Sequence, residues 1–155
     1  MGLEHDEERL GPPSLRIVGL QLWIHGRQFP DAQDYWDDDW LNVTVHCSAY
    51  GASVWASGAI LMVSDVARWL MECEGLYKRS HGEANFQPCE PNLLVTIRST
   101  DRHGHLNMRV EITPDHMTQQ HRFDFTIDQS FLPSLMAQCR AIIAEYPVRG
   151  DNFGA

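Results

Sequence analysis

Leu93-Leu94-Val95-Thr96-Ile97-Arg98-Ser99-Thr100-Asp101-Arg102-His103-Gly104-His105-Leu106-Asn107-Met108-Arg109-Val110-Glu111-Ile112 is the stretch that sets the fold class. Leu93, Val95 and Ile97 stand at alternate positions, the period of a strand with one buried face. Asp101-Arg102-His103-Gly104 has the composition of a turn. Leu106, Met108, Val110 and Ile112 then return in the same alternation. Two strands joined so closely run antiparallel, because a parallel return needs a crossover of about a dozen residues or more.

Working outward from that hairpin, Phe123, Phe125 and Ile127 predict a further strand, with Arg122, Asp124 and Thr126 on its other face. Asp128 or Ser130 then starts a helix with Pro133 in its first turn. Leu132, Leu135, Met136, Cys139, Ile142, Ile143 and Tyr146 form its apolar stripe, and Pro147 stops it. On the upstream side, Ala84 to Gln87 reads as a short extended piece ahead of Pro88 and Pro91. Before it, Ser64 or Asp65 caps a helix whose stripe is Val66, Trp69, Leu70, Cys73 and Tyr77, weakened at Gly75 and closed by Gly82. Leu41, Val43 and Val45 predict a half-buried strand that turns at Tyr50-Gly51-Ala52 and returns over Ser53 to Met62, with a bulge at Gly58. Leu15 to Ile24 is largely apolar on both alternating sets, which predicts one long strand buried on both faces for part of its length.

The order is therefore β-β-β-α-β-β-β-α, with a small extra strand near Phe86. With hairpins dominant and no regular βαβ alternation, the expected class is α+β: a mostly antiparallel sheet of about six to seven strands covered by two amphipathic helices. The expected organisation is an acidic N-terminal tail over residues 1–13, one domain over 14–150 and a short tail over 151–155.

At 155 residues with 43% hydrophobic content and five tryptophans, the chain can build a real core. Its formal net charge of −9, from 21 acidic and 12 basic residues, argues against binding phosphate backbones and suits a basic protein partner. The four cysteines form no C-x-x-C pair, which points to reduced thiols in an intracellular protein. Met1 to Glu8 lacks the apolar run of a secretion signal, and Ala59 to Val63 is far too short to span a bilayer. The expected location is cytoplasmic, with no membrane partner.

Chemistry-bearing motifs are sparse. His103-Gly104-His105 resembles half of a zinc site, with His116 and His121 further along, but a hairpin turn explains the pair as well and the other ligands lack recognisable spacing. No G-x-S-x-G elbow, catalytic-cysteine signature or phosphate-binding glycine loop is present, so neither a catalytic residue nor a cofactor is assigned. The distinctive segment is Gly26-Arg27-Gln28-Phe29-Pro30-Asp31-Ala32-Gln33-Asp34-Tyr35-Trp36-Asp37-Asp38-Asp39-Trp40-Leu41-Asn42-Val43. A calcium loop would space its carboxylates differently and add a distal glutamate. Two readings stay open. The aromatics fold back to seal the end of the sheet, with Trp40 in the core, or Asp34, Tyr35, Trp36, Asp37, Asp38 and Asp39 form a partner-binding surface in which aromatics anchor and carboxylates steer.

That segment resembles the opening of the WapI-type bacterial immunity proteins. Glu90-Pro91-Asn92-Leu93, Asp128-Gln129-Ser130-Phe131-Leu132 and Tyr146-Pro147-Val148-Arg149-Gly150 are similar to later landmarks of that family, in the same order. Each block also has a structural reading as a strand end, turn, cap or helix stop. The resemblance implies a non-enzymatic protein that binds and neutralises the C-terminal domain of a cognate polymorphic toxin, an RNA-cleaving nuclease in the systems that gave the family its name. It carries over no functional residue. Two other classes remain: an interaction module that self-associates through a sheet edge, and a small metal-dependent or hydrolytic enzyme using His103, His105, His116 or Glu90.

Overall fold

The structure is a computed structural model and describes residues 7–32 and 39–149. After a single helical turn, α1 (Glu7–Leu10), the chain forms four strands: β1 (Leu15–Ile17), β2 (Leu20–Arg27), β3 (Trp40–Ala49) and β4 (Ala52–Met62). Helix α2 (Val63–Arg79) follows. Four more strands come next, β5 (Glu83–Phe86), β6 (Leu93–Ser99), β7 (His105–Ile112) and β8 (Arg122–Asp128), and then α3 (Leu132–Glu145). The class is α+β and the pairing antiparallel, as expected. The single sheet of six to seven strands is corrected to two four-stranded sheets, ordered β1-β2-β3-β4 and β5-β6-β7-β8. Each half of the described chain is thus a four-stranded meander followed by a helix.

The first miscount lies in Leu15 to Ile24. Leu15 and Ile17 are buried at odd positions, whereas Leu20 and Leu22 are buried at even ones. A strand cannot change phase without a break, so Val18-Gly19 is a two-residue turn that pairs Ile17 with Leu20 and Leu15 with Leu22. Val18 takes a φ of 46° there. The second error is at the start of α2. Asp65 does not sit at the cap position; it lies in the first turn and its carboxylate accepts the Met62 N–H at 2.8 Å. Its burial disfavours the charged form and raises its pKa, against that hydrogen bond.

One core serves both sheets. The inward faces contribute Leu41, Val43 and Val45 from the first sheet and Ile97, Leu106 and Met108 from the second. Trp69 and Cys73 of α2 and Leu135 and Cys139 of α3 close it. The helices pack on each other, α2 also against β5 and α3 also against β1. Each large aliphatic side chain buried in this way stabilises the fold by about 1.5–3 kcal/mol relative to exposure.

The outward face of the second sheet is charged and balanced. Register places Glu83 beside Arg98, Arg109 beside Asp124 and Glu111 beside Arg122. Arg109 and Arg122 both reach Asp124, at 3.2 and 3.1 Å. Such exposed pairs add little stability, but opposite charges across strands keep this face free of a net field.

The β3–β4 hairpin turns on Tyr50-Gly51, with φ values of 48° and 87°. Two positive φ angles make this a turn of the kind that favours Asn-Gly, and a bulky residue is costly at the first position. Tyr50 is also fully exposed, so its ring recovers nothing by burial within the chain. Tyr50→Asn is expected to stabilise the fold by about 0.5–1 kcal/mol, read as a higher midpoint in urea.

Candidate functional site

β2 and β3 are joined by the acidic aromatic segment. Asp34, Tyr35, Trp36, Asp37 and Asp38 lie outside the described residues; the two feet of the connection do not. On one side Phe29, Pro30 and Asp31 are exposed, and on the other Asp39 is wholly buried. The sequence groups Asp39 with the partner-binding carboxylates. The structure places Asp39 inside the fold, apart from the exposed residues of the other foot.

What Asp39 meets is the fold itself. Its Oδ1 accepts the Arg149 N–H at 2.8 Å and lies 3.6 Å from the Arg27 guanidinium, whose side chain is only 6% exposed. The Asp39 carbonyl accepts the Val63 N–H at 2.9 Å, which ties the foot to the start of α2. Arg27 also donates to the Pro147 carbonyl at 2.6 Å and lies over the Tyr146 ring, 5.9 Å from its centroid. Arg149 completes the ring of contacts by donating from its side chain to the Pro30 carbonyl at 3.2 Å. Burial, followed by the neighbouring Glu145, raises the Tyr146 phenol above its ordinary pKa.

Two sequence blocks that stand far apart in the chain, Gly26–Pro30 and Tyr146–Arg149, therefore meet around one carboxylate. They fix where the β2–β3 connection leaves and re-enters the sheet. Residue reading takes them only as a strand end and a helix stop. The available signal was charge: Arg27 stands a few residues ahead of a run of aspartates, one of which faces it.

The other two blocks are also structural. Asn92 donates from its side chain to the Thr113 carbonyl at 2.9 Å and accepts the Thr113 N–H through its own carbonyl, which closes the open end of β6 and β7. Asp128 accepts the Ser130 N–H at 2.8 Å, and the Gln129 N–H reaches the Gly104 carbonyl at 3.0 Å, which seats α3 on the β6–β7 turn. These contacts explain the spacing of the blocks without any chemistry.

The residues considered for metal or hydrolytic chemistry are dispersed. His105 pairs with Asp101 at 2.5 Å on the exposed β6–β7 turn. Asp101 lies below the ordinary carboxylate pKa, chiefly because it accepts the His103 N–H and then because of His105. His116 and His121 line a shallow groove of about 280 Å³ with Glu111 and Gln119, and Glu90 is exposed. Among the described residues no three His, Cys, Asp or Glu side chains are grouped as a metal site. Burial pushes the Cys47 and Cys139 thiols up to about 12 and raises Cys73 as well, so these three are poor nucleophiles at neutral pH. Among the described residues no helix is long and apolar enough to cross a membrane.

Comparison with known proteins now adds to this geometry. The model of the immunity protein WapI-like family matches residues 15–147. The chain belongs to the WapI-like immunity family. The match spans both meanders and both long helices, and it ends inside the Tyr146–Arg149 segment that braces Asp39. No curated protein matches this WapI-like chain. Among solved structures it is similar to the plant transcriptional regulator PBF-2, with 10% identity and a TM-score of 0.45 over 82% of this chain and 75% of that one. It is also similar to WHY3 from Arabidopsis thaliana, with 9% identity and a TM-score of 0.44 over 82% of this chain and 81% of that one. At those scores neither likeness bears on what the WapI-like chain binds.

Proposed function

We propose that this protein is an immunity protein that binds the C-terminal domain of a cognate polymorphic toxin and blocks it stoichiometrically, in the cytoplasm and without turnover. Membership of the WapI-like family across both halves of the fold carries this reading. Charge gives it a physical route. A chain of net charge −9 is drawn to a basic surface, and a nuclease that holds phosphates presents one, so an RNA-cleaving toxin is the class this reading favours. The contact surface on this reading is the β2–β3 connection, with Tyr35 and Trp36 as anchors and Asp34, Asp37 and Asp38 as steering charges. Asp39 serves it from inside, as the brace.

Calorimetry with the C-terminal toxin domain encoded beside this gene tests the reading. One-to-one binding below micromolar is expected, weakening as salt is raised. The triple substitution Asp34→Lys, Asp37→Lys and Asp38→Lys is expected to cost about a hundredfold in affinity while leaving the thermal midpoint near that of the wild type. Unchanged affinity in that variant removes the surface assignment; no binding by the folded wild type removes the toxin.

A further inference from the structure

Of the Asp128–Leu132 block, the fold accounts for all but the Phe131 ring. Asp128 accepts the Ser130 N–H and hydroxyl, the Gln129 N–H reaches Gly104, and Leu132 is wholly buried. Phe131 is left 37% exposed. It stands on the wall of a cavity of about 370 Å³ between β1, the β1–β2 turn and the start of α3. Ile17 and Leu135, both buried, form its floor, and Val18 faces it from the turn. Val18 takes its φ of 46° there, a conformation that a β-branched residue enters only at a cost and that is retained where something else depends on it.

Charge sets this cavity apart from the rest of the molecule. In a chain with 21 acidic residues, no Asp or Glu lines it and one arginine does. Arg16 is exposed, and among the described residues its guanidinium has neither a hydrogen-bond nor an ion-pair partner. Its backbone, by contrast, is pinned to α3. The Gln138 side chain accepts the Arg16 N–H at 2.6 Å and donates to the Arg16 carbonyl at 3.1 Å. Ser134, also on the wall, accepts from the Gln138 amide at 3.2 Å and keeps its own proton to give. The Ser130 hydroxyl is spent on Asp128. The groups left to bind are therefore donors, and the one charge is positive.

A guanidinium meets a carboxylate through two parallel hydrogen bonds. One guanidinium and one hydroxyl suit a single negative charge better than the near-dianion of a phosphate monoester. The apolar floor and walls take a body about the size of one aromatic ring or a short acyl chain. We propose that this cavity binds a small carboxylic acid with an apolar body, its carboxylate on Arg16 and Ser134 and its body between Val18 and Phe131. The cavity lies at the Leu20 end of β2, whereas the acidic connection leaves from the Arg27 end, so the two surfaces are separate.

The experiment is titration of the isotope-labelled full chain with phenylacetate, followed by backbone amide shifts in NMR. Acetate supplies the charge without the body, and phenylacetamide the body without the charge. Expected are shifts confined to Arg16–Gly19 and Ser130–Leu135, with a Kd of about a millimolar or tighter for phenylacetate. Affinity is expected to fall more than about tenfold for phenylacetamide, for acetate and in Arg16→Gln. Arg16→Lys keeps the charge without the planar fork and falls between. Arg68→Gln removes an exposed arginine of α2 and is expected to change nothing. Thermal midpoints report whether each variant is folded, and Phe131→Ser stands in should Arg16→Gln prove unfolded. Absence of shifts up to tens of millimolar phenylacetate overturns the proposal. So do shifts scattered over other surfaces, an affinity that Arg16→Gln leaves unchanged, or one that Arg68→Gln weakens equally. Acetate binding as tightly as phenylacetate reduces the cavity to an adventitious anion site, and that too overturns it.

Discussion

Asp39→Ala is expected to destabilise the fold by about 3 kcal/mol, although it deletes one small side chain at the end of a loop. The carboxylate is fully buried, and its removal takes an acceptor from the Arg149 N–H and a negative charge from beside the nearly buried Arg27 guanidinium. Breaking one side of a buried pair costs far more than the pair contributes relative to an apolar replacement, because the surviving charge stays desolvated. Asp39→Asn keeps an oxygen for Arg149 while losing the charge, and is expected to fall between alanine and wild type. Urea unfolding separates the three. A loss under about 1 kcal/mol in Asp39→Ala would mean that the brace contributes only as an exposed ion pair does. The same variant is expected to bind toxin more weakly without touching it, which distinguishes it from the Asp34, Asp37 and Asp38 substitutions, where affinity falls and stability does not.

Gly19→Ala is expected to cost about 3 kcal/mol as well, for a reason unrelated to charge. A Cβ there would lie 2.1 Å from the Ser48 carbonyl oxygen and 3.0 Å from the Phe125 ring. The first contact is with backbone, so the β1–β2 turn has to move off β3 and strain the bond from the Ser48 N–H to the Gly19 carbonyl. The second is with β8, where the two sheets approach. A domain of this size loses about 2–4 °C in Tm per kcal/mol, so a drop of about 10 °C is expected in calorimetry. A midpoint within a degree or two of wild type would show that the turn relaxes freely.

The contrast between these residues explains what could be read in advance. Strands such as Leu106–Ile112 announce themselves, since their apolar residues keep one phase and the structure buries that phase. Leu15–Ile24 holds the same information in a subtler form: both sets are apolar, and only the change from odd to even burial at Val18-Gly19 betrays the turn. Whether the strands form one sheet or two is not written in periodicity, because a meander that stops after β4 and one that continues have the same local pattern. Asp39 was illegible for a related reason. Composition groups it with the other aspartates of the segment, and what meets it arrives from Tyr146–Arg149, far along the chain. The family blocks marked the right segments without saying that two of them touch.

That contact also sets an order in time. During synthesis the first meander can pair as soon as β4 has left the ribosome, and domains fold from the N-terminus as they emerge. The feet of the acidic connection cannot be locked then, since Pro147 and Arg149 have yet to be translated. A nascent chain can thus own a finished first sheet while the base of its acidic segment is still open. Whatever protection this protein gives a cell becomes available per completed chain, not per chain begun.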